Sequence, residues 1–321
     1  MAGSTQRMGI RPAFFVPRIK RVLLLAGFGL FCLLELSAQR RLSDSPLDTL
    51  GEDVSQADGL EILNTFRSLG IAGDYRLGFE LRIMPRRGDT VEVPGVLIGT
   101  QTEYGPLTRI DIALKQSDVT DQGKLIPAEV KRLLLQNGIF ANAVSSNSWD
   151  ESAELPKPVA AESYFEGIAG SDFTIFDLLM PFSFWQDFEY EGRTTKRSRP
   201  THVFTLLPPQ EAEGIRAHIS KVRIYLDEEF NALNRVEIYD AEGELSKTLS
   251  VVAFKIVDGQ GVLSQVDVRN EQTRDKTRFR VTDPALGVEV PEWVFDMEGL
   301  TRNVYGTPLS RVQGKPAEED E

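Results

Sequence analysis

The hydrophobic positions of the chain first follow a helical period. Between Ala57 and Leu69, apolar side chains recur every three or four residues, and Gly70 and Gly73 end the run. This spacing predicts an amphipathic helix with one face to bury. The predicted stripe is Leu60, Leu63, Phe66 and Leu69, with Ile62 beside it.

From residue 75 the apolar period becomes two. Apolar side chains alternate with Arg76, Gly78, Glu80 and Arg82, and Pro85 closes the run. Alternation of this kind predicts a strand with one apolar and one polar face. The inward-facing residues are then Tyr75, Leu77, Phe79, Leu81 and Ile83.

Further strand patterns follow in the first half of the chain, at Thr90–Glu103 and Leu107–Gln116. Asn137-Gly138 readily takes the two positive φ angles of a type I′ turn, which favours a hairpin between 132–136 and 139–145. A helix over Pro127–Leu135 is the alternative, since that stretch is rich in helix-forming residues. The polar, proline-containing stretch Ser146–Ala169 is predicted to be a loop.

The second half reads as a series of hairpins. The predicted strands are Phe188–Arg193, His202–Leu207, Lys221–Asp227, Arg235–Tyr239, Leu245–Val257, Val262–Asn270 and Lys276–Thr282. After Pro291, a short closing helix would carry Trp293 and Phe295. Roughly a dozen strands joined by short turns predict an antiparallel meander and exclude a βαβ fold. A sheet this large curls, and its apolar inner face then needs helices to cover it.

One stretch between these two halves is unusually aromatic. Seven rings lie between Phe173 and Tyr190, and the apolar residues among them do not alternate as in a strand. Thr174 and Asp177 form a capping-box pattern, which predicts a short helix that stops before Pro181. Two interpretations stay open: the rings are ordinary core, or they belong to a movable lid whose place acyl chains can take. The lid residues would be Phe176, Phe182, Phe184 and Trp185.

The N-terminus has the layout of a secretory signal peptide. Arg18, Lys20 and Arg21 precede a short apolar run, residues 22–34, and small residues follow. We expect cleavage after Ala38, which divides the chain into a signal peptide (1–38), a flexible leader (39–56), a single domain (57–302) and an acidic tail (303–321). The apolar run is shorter than the roughly 20 residues of a transmembrane helix. The protein is therefore predicted to be periplasmic.

The amino-acid composition limits the kinds of functional site and partner that we expect. Cys32 is the single cysteine and lies in the predicted signal peptide, so the mature chain is expected to lack disulfides and thiolate sites. A formal net charge of −12 makes nucleic acid a poor partner. The two histidines, His202 and His218, have no ligand spacing, and no nucleophile-elbow, zinc-protease or phosphate-loop motif occurs. We therefore expect no metal, no cofactor, no catalytic residue and no enzymatic activity.

Two motifs resemble a known family. A Gly-Ser-Asp-Phe-Thr segment at Gly170–Thr174 leads into Asp177-Leu178, and the hairpin Arg235–Leu249 ends in Lys247-Thr248-Leu249. Together with the order of elements over Ala57–Arg302, these motifs resemble the outer-membrane lipoprotein-sorting proteins of the LolA/LolB-like superfamily.

The resemblance implies an α+β fold, mostly β: a half-open antiparallel barrel with helices covering the concave face. It also implies a monomeric periplasmic carrier that binds acyl chains of lipoproteins or other lipids. Its partners would be an inner-membrane exporter and an outer-membrane acceptor. The ligand-controlling arginine of such carriers has no single counterpart here; Arg76, Arg82 and Arg109 are candidates by strand location. The alternative function is a sensor or adaptor that binds an envelope protein without carrying cargo.

Overall fold

Two antiparallel meanders meet at the first and last strands of one sheet. The computed structural model describes residues 55–119, 125–138, 141–146, 156–196, 199–305 and 309. In space the thirteen strands of these residues follow the order β6-β5-β4-β3-β2-β1-β13-β12-β11-β10-β9-β8-β7. They are β1 (Tyr75–Met84), β2 (Val91–Thr102), β3 (Gly105–Val119), β4 (Leu125–Gln136), β5 (Asn142–Ser146), β6 (Lys157–Pro158), β7 (Phe188–Lys196), β8 (Arg199–Leu206), β9 (Ile219–Asp227), β10 (Leu233–Asp240), β11 (Leu245–Val257), β12 (Gln260–Asn270) and β13 (Lys276–Leu286).

The sheet does not close, because β6 and β7 are its two edges within the described residues. The chain passes from one edge to the other through residues 161–185, which we call the plug. The plug contains α2 (Ile175–Leu179) and three 3₁₀ turns, at Ala161–Phe165, Ile168–Gly170 and Pro181–Phe184. The predicted half-open antiparallel architecture is confirmed.

The remaining helices lie outside the plug. They are α1 (Gln56–Ser68), α3 (Glu213–Arg216) and 3₁₀ turns at Glu292–Phe295 and Glu298–Thr301. None of the described helices is long and apolar enough to cross a membrane. The predicted signal peptide, residues 39–54 of the leader and most of the acidic tail lie outside the described residues, and the single domain 57–302 stays a prediction.

The helix α1 forms where it is predicted, but its buried face differs. Leu63 is fully buried, whereas Leu60 and Leu69 are 41% and 48% exposed. The reason is a close approach at Gly59, where an added Cβ would lie 2.6 Å from the Cβ of Tyr190 on β7. This contact turns the Gly59–Leu63 side of α1 toward the sheet and leaves both ends of the predicted stripe in solvent.

The stretch 125–146 forms the predicted hairpin and not the alternative helix. β4 pairs with β5 in antiparallel register, and Gly138 in the turn has a φ of 116°. The adjoining loop prediction is wrong in part. Residues 147–155 lie outside the described residues, but β6 and two 3₁₀ turns occupy most of 157–170. These elements are too short to produce a detectable apolar period.

The predicted closing helix is replaced by two 3₁₀ turns on the opposite face of the sheet from the plug. Val294 packs there with Val96 and Ile98 of β2. Beneath these turns Arg109 donates to the carbonyl oxygens of Gly299 at 2.8 Å and Arg302 at 2.5 Å. The C-terminal turns therefore cover the outer face of the sheet, whereas the plug covers the concave face.

The inner face of the sheet is packed by large side chains placed against glycines. Phe79 on β1 is opposite Gly95 on β2, and Tyr75 is opposite Gly99. A Cβ at Gly95 would lie 2.2 Å from Cζ of Phe79. The absence of a side chain at this position lets the Phe79 ring lie flat against the neighbouring strand.

We expect Gly95→Ala to lower the free energy of unfolding by about 1–3 kcal/mol, because the buried Phe79 ring must leave its position. Gly261→Ala is the matched control, since a Cβ there meets no atom within 4 Å. Urea unfolding of both variants measures the difference. Equal stability of the two variants would contradict the proposed packing.

Candidate functional site

A capping box fixes the short helix at the centre of the plug. Thr174 donates from its backbone nitrogen and its hydroxyl to Oδ2 of Asp177, both at 2.9 Å. The Asp177 backbone nitrogen donates in return to the Thr174 hydroxyl at 3.3 Å. The predicted helix start is thus confirmed. Met180 takes a left-handed φ of 43° immediately before Pro181, which ends the helix after one turn.

An ion pair ties this capping box to the sheet. The ammonium nitrogen of Lys247 on β11 lies 2.7 Å from Oδ2 of Asp177, and the Asp177 side chain is fully buried. Both residues belong to the two motifs that suggested the family resemblance. Far apart in sequence, the motifs meet at this one contact on the inner face.

The plug rings form a continuous aromatic cluster. Phe176 lies between its neighbours, with ring centroids 5.8 Å from Phe182 and 6.3 Å from Trp185. Phe173 reaches the sheet, where its ring centroid is 6.3 Å from that of Phe279 on β13. These separations are typical of favourable aromatic pairs. The rings of the plug therefore form part of the core of the half-barrel.

A small apolar cavity remains between plug and sheet. Its volume is about 20 Å³, and every lining residue is apolar. The plug contributes Ile168, Phe173 and Leu178; the sheet contributes Phe79, Leu81, Leu97, Ile110, Ile112 and Phe279. A cavity of this size holds roughly one water molecule. An acyl chain can therefore enter only if the plug moves.

The predicted site residues lie in several environments. Phe79, Leu81, Phe176, Phe182 and Trp185 are buried in the main core, and Ile83 packs against it. Leu77 and Tyr75 belong to a second cluster with Val281 and Leu286. Phe184 is partly exposed and outside these clusters. Only Phe79 and Leu81 of the predicted set line the cavity.

The three candidate arginines have structural contacts. Arg109 is fully buried on the outer face and pairs with Asp111 at 2.8 Å. Arg76 pairs with Asp283 at 2.9 Å, and the exposed Arg82 lies 3.8 Å from Glu92. None of the three lines the cavity. The location of a strand along the chain did not reveal which face its arginine would occupy.

Further polar contacts hold the plug at both ends. At one end, the Thr277 hydroxyl donates to Oδ2 of Asp172 at 3.0 Å. At the other end, Arg67 of α1 donates to the carbonyl oxygens of Ser183 at 2.6 Å and Trp185 at 2.8 Å. Partial burial raises the pKa of the Asp172 carboxyl, although Thr277 and Lys247 act against it. The plug is thus joined to the sheet and to α1 by a few directed bonds around an apolar centre.

Sequence reasoning did not include Lys247, Arg67 or Phe279 among the site residues. Phe279 had a usable signal, because Thr277, Phe279 and Val281 alternate with polar residues on β13. Lys247 and Arg67 had none. Charged residues on a strand or at a helix end are ordinarily solvent-exposed, and only the folded chain shows which carboxylate or carbonyl they reach.

Comparison with known proteins places this geometry in a known fold class. A domain from Vibrio parahaemolyticus, designated an outer membrane lipoprotein-sorting protein, superposes with a TM-score of 0.62 at 18% identity, over 77% of this chain and 100% of that one. A DUF1329 family protein from Desulfovibrio piger gives 0.63 at 14% identity, over 76% and 98%. A LolA superfamily protein from Nitrosomonas europaea gives 0.53 at 13% identity, over 76% and 98%.

The chain therefore has the LolA-like fold, as the resemblance of its motifs implied. A family model described only as uncharacterized protein-like matches residues 147–302, slightly less than half of the chain. That segment contains the plug, Lys247 and the whole second meander. No curated protein matches the sequence.

We expect Lys247→Met to lower the free energy of unfolding by about 3–5 kcal/mol, because it leaves the buried Asp177 carboxylate without a counter-charge. The exposed Lys255 on the same strand gives the matched control, Lys255→Met, with a change within about 0.5 kcal/mol. The double variant Asp177→Asn/Lys247→Met should recover part of the loss. A Lys247→Met variant as stable as Lys255→Met would contradict the role of the ion pair.

The raised pKa of Asp172 predicts a pH effect on stability. The folded state favours the protonated carboxyl more than the unfolded state does, so the wild type gains stability as the pH falls through the folded-state pKa. Asp172→Asn removes the titrating group. We therefore expect the variant to be the more stable protein at neutral pH and its advantage to shrink on acidification. Chemical unfolding at several pH values checks this; an advantage that grows toward acid pH would refute it.

Proposed function

We propose that this protein is a non-catalytic periplasmic carrier that shelters acyl chains of lipoproteins or other lipids inside the half-barrel. The observation that carries the proposal is the entirely apolar lining of the cavity between plug and sheet. Each CH₂ group moved from water to such a surface contributes about 0.8 kcal/mol. The LolA-like fold supports the same class of function.

Loading requires the plug to leave the inner face, and its backbone has suitable hinge positions. Ala169 and Gly170 precede the α2 segment with φ angles of 54° and 74°, and Met180 follows it with 43°. Left-handed backbone at a non-glycine residue costs roughly 1 kcal/mol or more and persists only where packing maintains it. Release of the plug removes that strain. The plug rings and an acyl chain would then occupy the same interior in turn.

A reversible cross-link tests the proposal. Asp172 and Thr277 are in side-chain contact across the plug–sheet boundary, at 3.0 Å. We expect Asp172→Cys/Thr277→Cys, once oxidised, to bind a fluorescent fatty-acid probe at least about tenfold more weakly than the same protein after reduction. Lipid mass spectrometry of detergent-free preparations should show co-purifying lipid in the wild type and less in Trp185→Ala.

Asp172→Cys without the second substitution is the control, and its binding should not respond to oxidant. Equal probe binding by the locked and reduced double variants would refute a moving plug. Absence of lipid and of probe binding in every form would refute carriage.

One observation favours a second candidate function. The apolar cavity between plug and sheet is small in this structure, about 20 Å³, so the plug rings fill most of the space beside it. A filled interior suits a sensor or adaptor that recognises an envelope protein through its surface. Such a protein would yield a stable complex and no bound lipid.

A further inference from the structure

The hairpin formed by β11 and β12 extends beyond both neighbouring strands. On one side, β10 pairs with β11 only as far as Ser250. On the other side, β13 pairs with β12 no further than Gln265. β11 and β12 continue to pair with each other up to the turn at Asp258-Gly259. Residues 252–257 of β11, which we call the overhang, therefore form a local open edge of the described sheet.

The overhang exposes unpaired backbone groups. The two turn residues have positive φ angles of 47° and 77°, as in a type I′ turn, so Val257 and Gln260 form the hydrogen-bonded pair that closes the hairpin. Because such pairs alternate along an antiparallel ladder, the N–H and C=O groups of Phe254 and Ile256 point away from β12. Within the described residues these groups have no hydrogen-bond partner.

The side chains of the overhang are mostly apolar and solvent-exposed. Val252, Phe254 and Ile256 are 39%, 50% and 75% exposed. Valine, phenylalanine and isoleucine are also the residue types that favour strands. An exposed edge with apolar side chains and unpaired backbone groups is a template for a further strand.

The other face of the hairpin tip is held against the same chain. Val262 is buried in the second core cluster, with Leu77 and Val281. Oε1 of Gln260 accepts a hydrogen bond from the backbone nitrogen of Ala72 at 2.7 Å. These contacts hold the overhang in a defined position, so a partner can bind to it without first ordering it.

An extended strand is the partner that satisfies this edge. A bilayer would accept the apolar side chains, but open sheet edges do not occur within hydrocarbon, because their backbone groups would have no partner. A strand pairs with the backbone groups and covers the side chains together. Charge favours a second copy of this chain, since β11 contains Lys247 and Lys255 and none of the carboxylates that give the chain its net charge of −12.

We propose that two copies of this chain pair through their overhangs, edge to edge and antiparallel, as a two-fold symmetric dimer. The overhang is self-complementary in one register, with Ile256 opposite Ile256 of the second copy and Lys255 opposite Val257. A register shifted by two residues would place the two Lys255 side chains directly opposite each other, which is unfavourable. This dimer differs from the monomer that the family resemblance implies.

Sedimentation velocity of the purified chain over a hundredfold range of concentration tests the proposal. We expect a concentration-dependent equilibrium between monomer and dimer. Ile256→Lys should raise the dimer dissociation constant at least about tenfold, because it places two like charges opposite each other at the centre of the pairing. Val91→Lys is the matched control, since Val91 on β2 is 52% exposed and lies outside the overhang. This variant should dimerise like the wild type.

A symmetric cross-link tests the register. Cys32→Ser removes the single natural cysteine and provides the background. Ile256→Cys in that background would place the two cysteine Cα atoms about 5.5 Å apart, within the range of a disulfide. Mild oxidation should therefore produce a covalent dimer at least about tenfold faster than for Val91→Cys in the same background.

A chain that stays monomeric at every concentration would overturn the proposal and leave the overhang to a foreign strand. A dimer that Ile256→Lys leaves unchanged would show a different interface, and equal cross-linking of the two cysteine variants would exclude the register; either result also overturns the proposal. The thermal unfolding midpoints of both lysine variants should match the wild type, which separates lost pairing from misfolding. None of these measurements depends on acyl-chain binding.

Discussion

The arrangement of the inner face depends on one buried ion pair, between Asp177 and Lys247. The carboxylate that caps α2 is also the one that accepts from the sheet, so formation of the helix and docking of the plug share an atom, Oδ2. Removing one partner of such a pair strongly destabilises the fold, because a buried charge is left unpaired. Formation of the pair from two solvated charges nevertheless adds little net stability, because both charges must lose their water. The ion pair therefore specifies a single docked orientation without making docking irreversible. Apolar contacts stabilise the docked plug, and the ion pair fixes its position on the sheet.

The two faces of the sheet use polar groups in opposite ways. On the outer face, Arg109 and Arg132 flank Asp111, and the Arg109 guanidinium satisfies carbonyl oxygens of the C-terminal turns. That network consists of charged and directional bonds, and no apolar molecule could replace it. The inner face has few directed bonds and many ring contacts, which tolerate substitution by any apolar surface of similar shape. The sheet thus joins an outer layer held by directed bonds to an inner layer held mostly by ring contacts.

Much of this fold could be predicted from periodicity. Alternation along β1 and the Asn137-Gly138 turn predicted strands that the structure confirms, because a half-buried strand and a tight turn are determined by neighbouring residues. The buried side of α1 could not be predicted, because it depends on the approach of Gly59 to Tyr190, a residue more than 100 positions away in sequence. The sequence likewise did not indicate which face of the sheet the C-terminal turns would cover. Arg109 occupies a polar position in the alternating pattern of β3, which by itself predicts a solvent-exposed side chain. Its burial depends on the C-terminal turns that cover it. For the site, composition pointed to the plug rings but not to Lys247, whose partner is defined only by the folded chain.

The pairing of β1 with β13 has a kinetic consequence. The central strands of the sheet are about 200 residues apart in sequence, with Tyr75 opposite Leu286 and Met84 opposite Lys276. Each meander can form from neighbouring hairpins, but the two can join only after nearly the whole chain is available. Contacts of such long range make folding slow. Until they form, β1 and β13 each expose an unpaired edge beside apolar side chains, a state prone to aggregation. A chain cut before Lys276 would remain in that state permanently, however well its first meander folded.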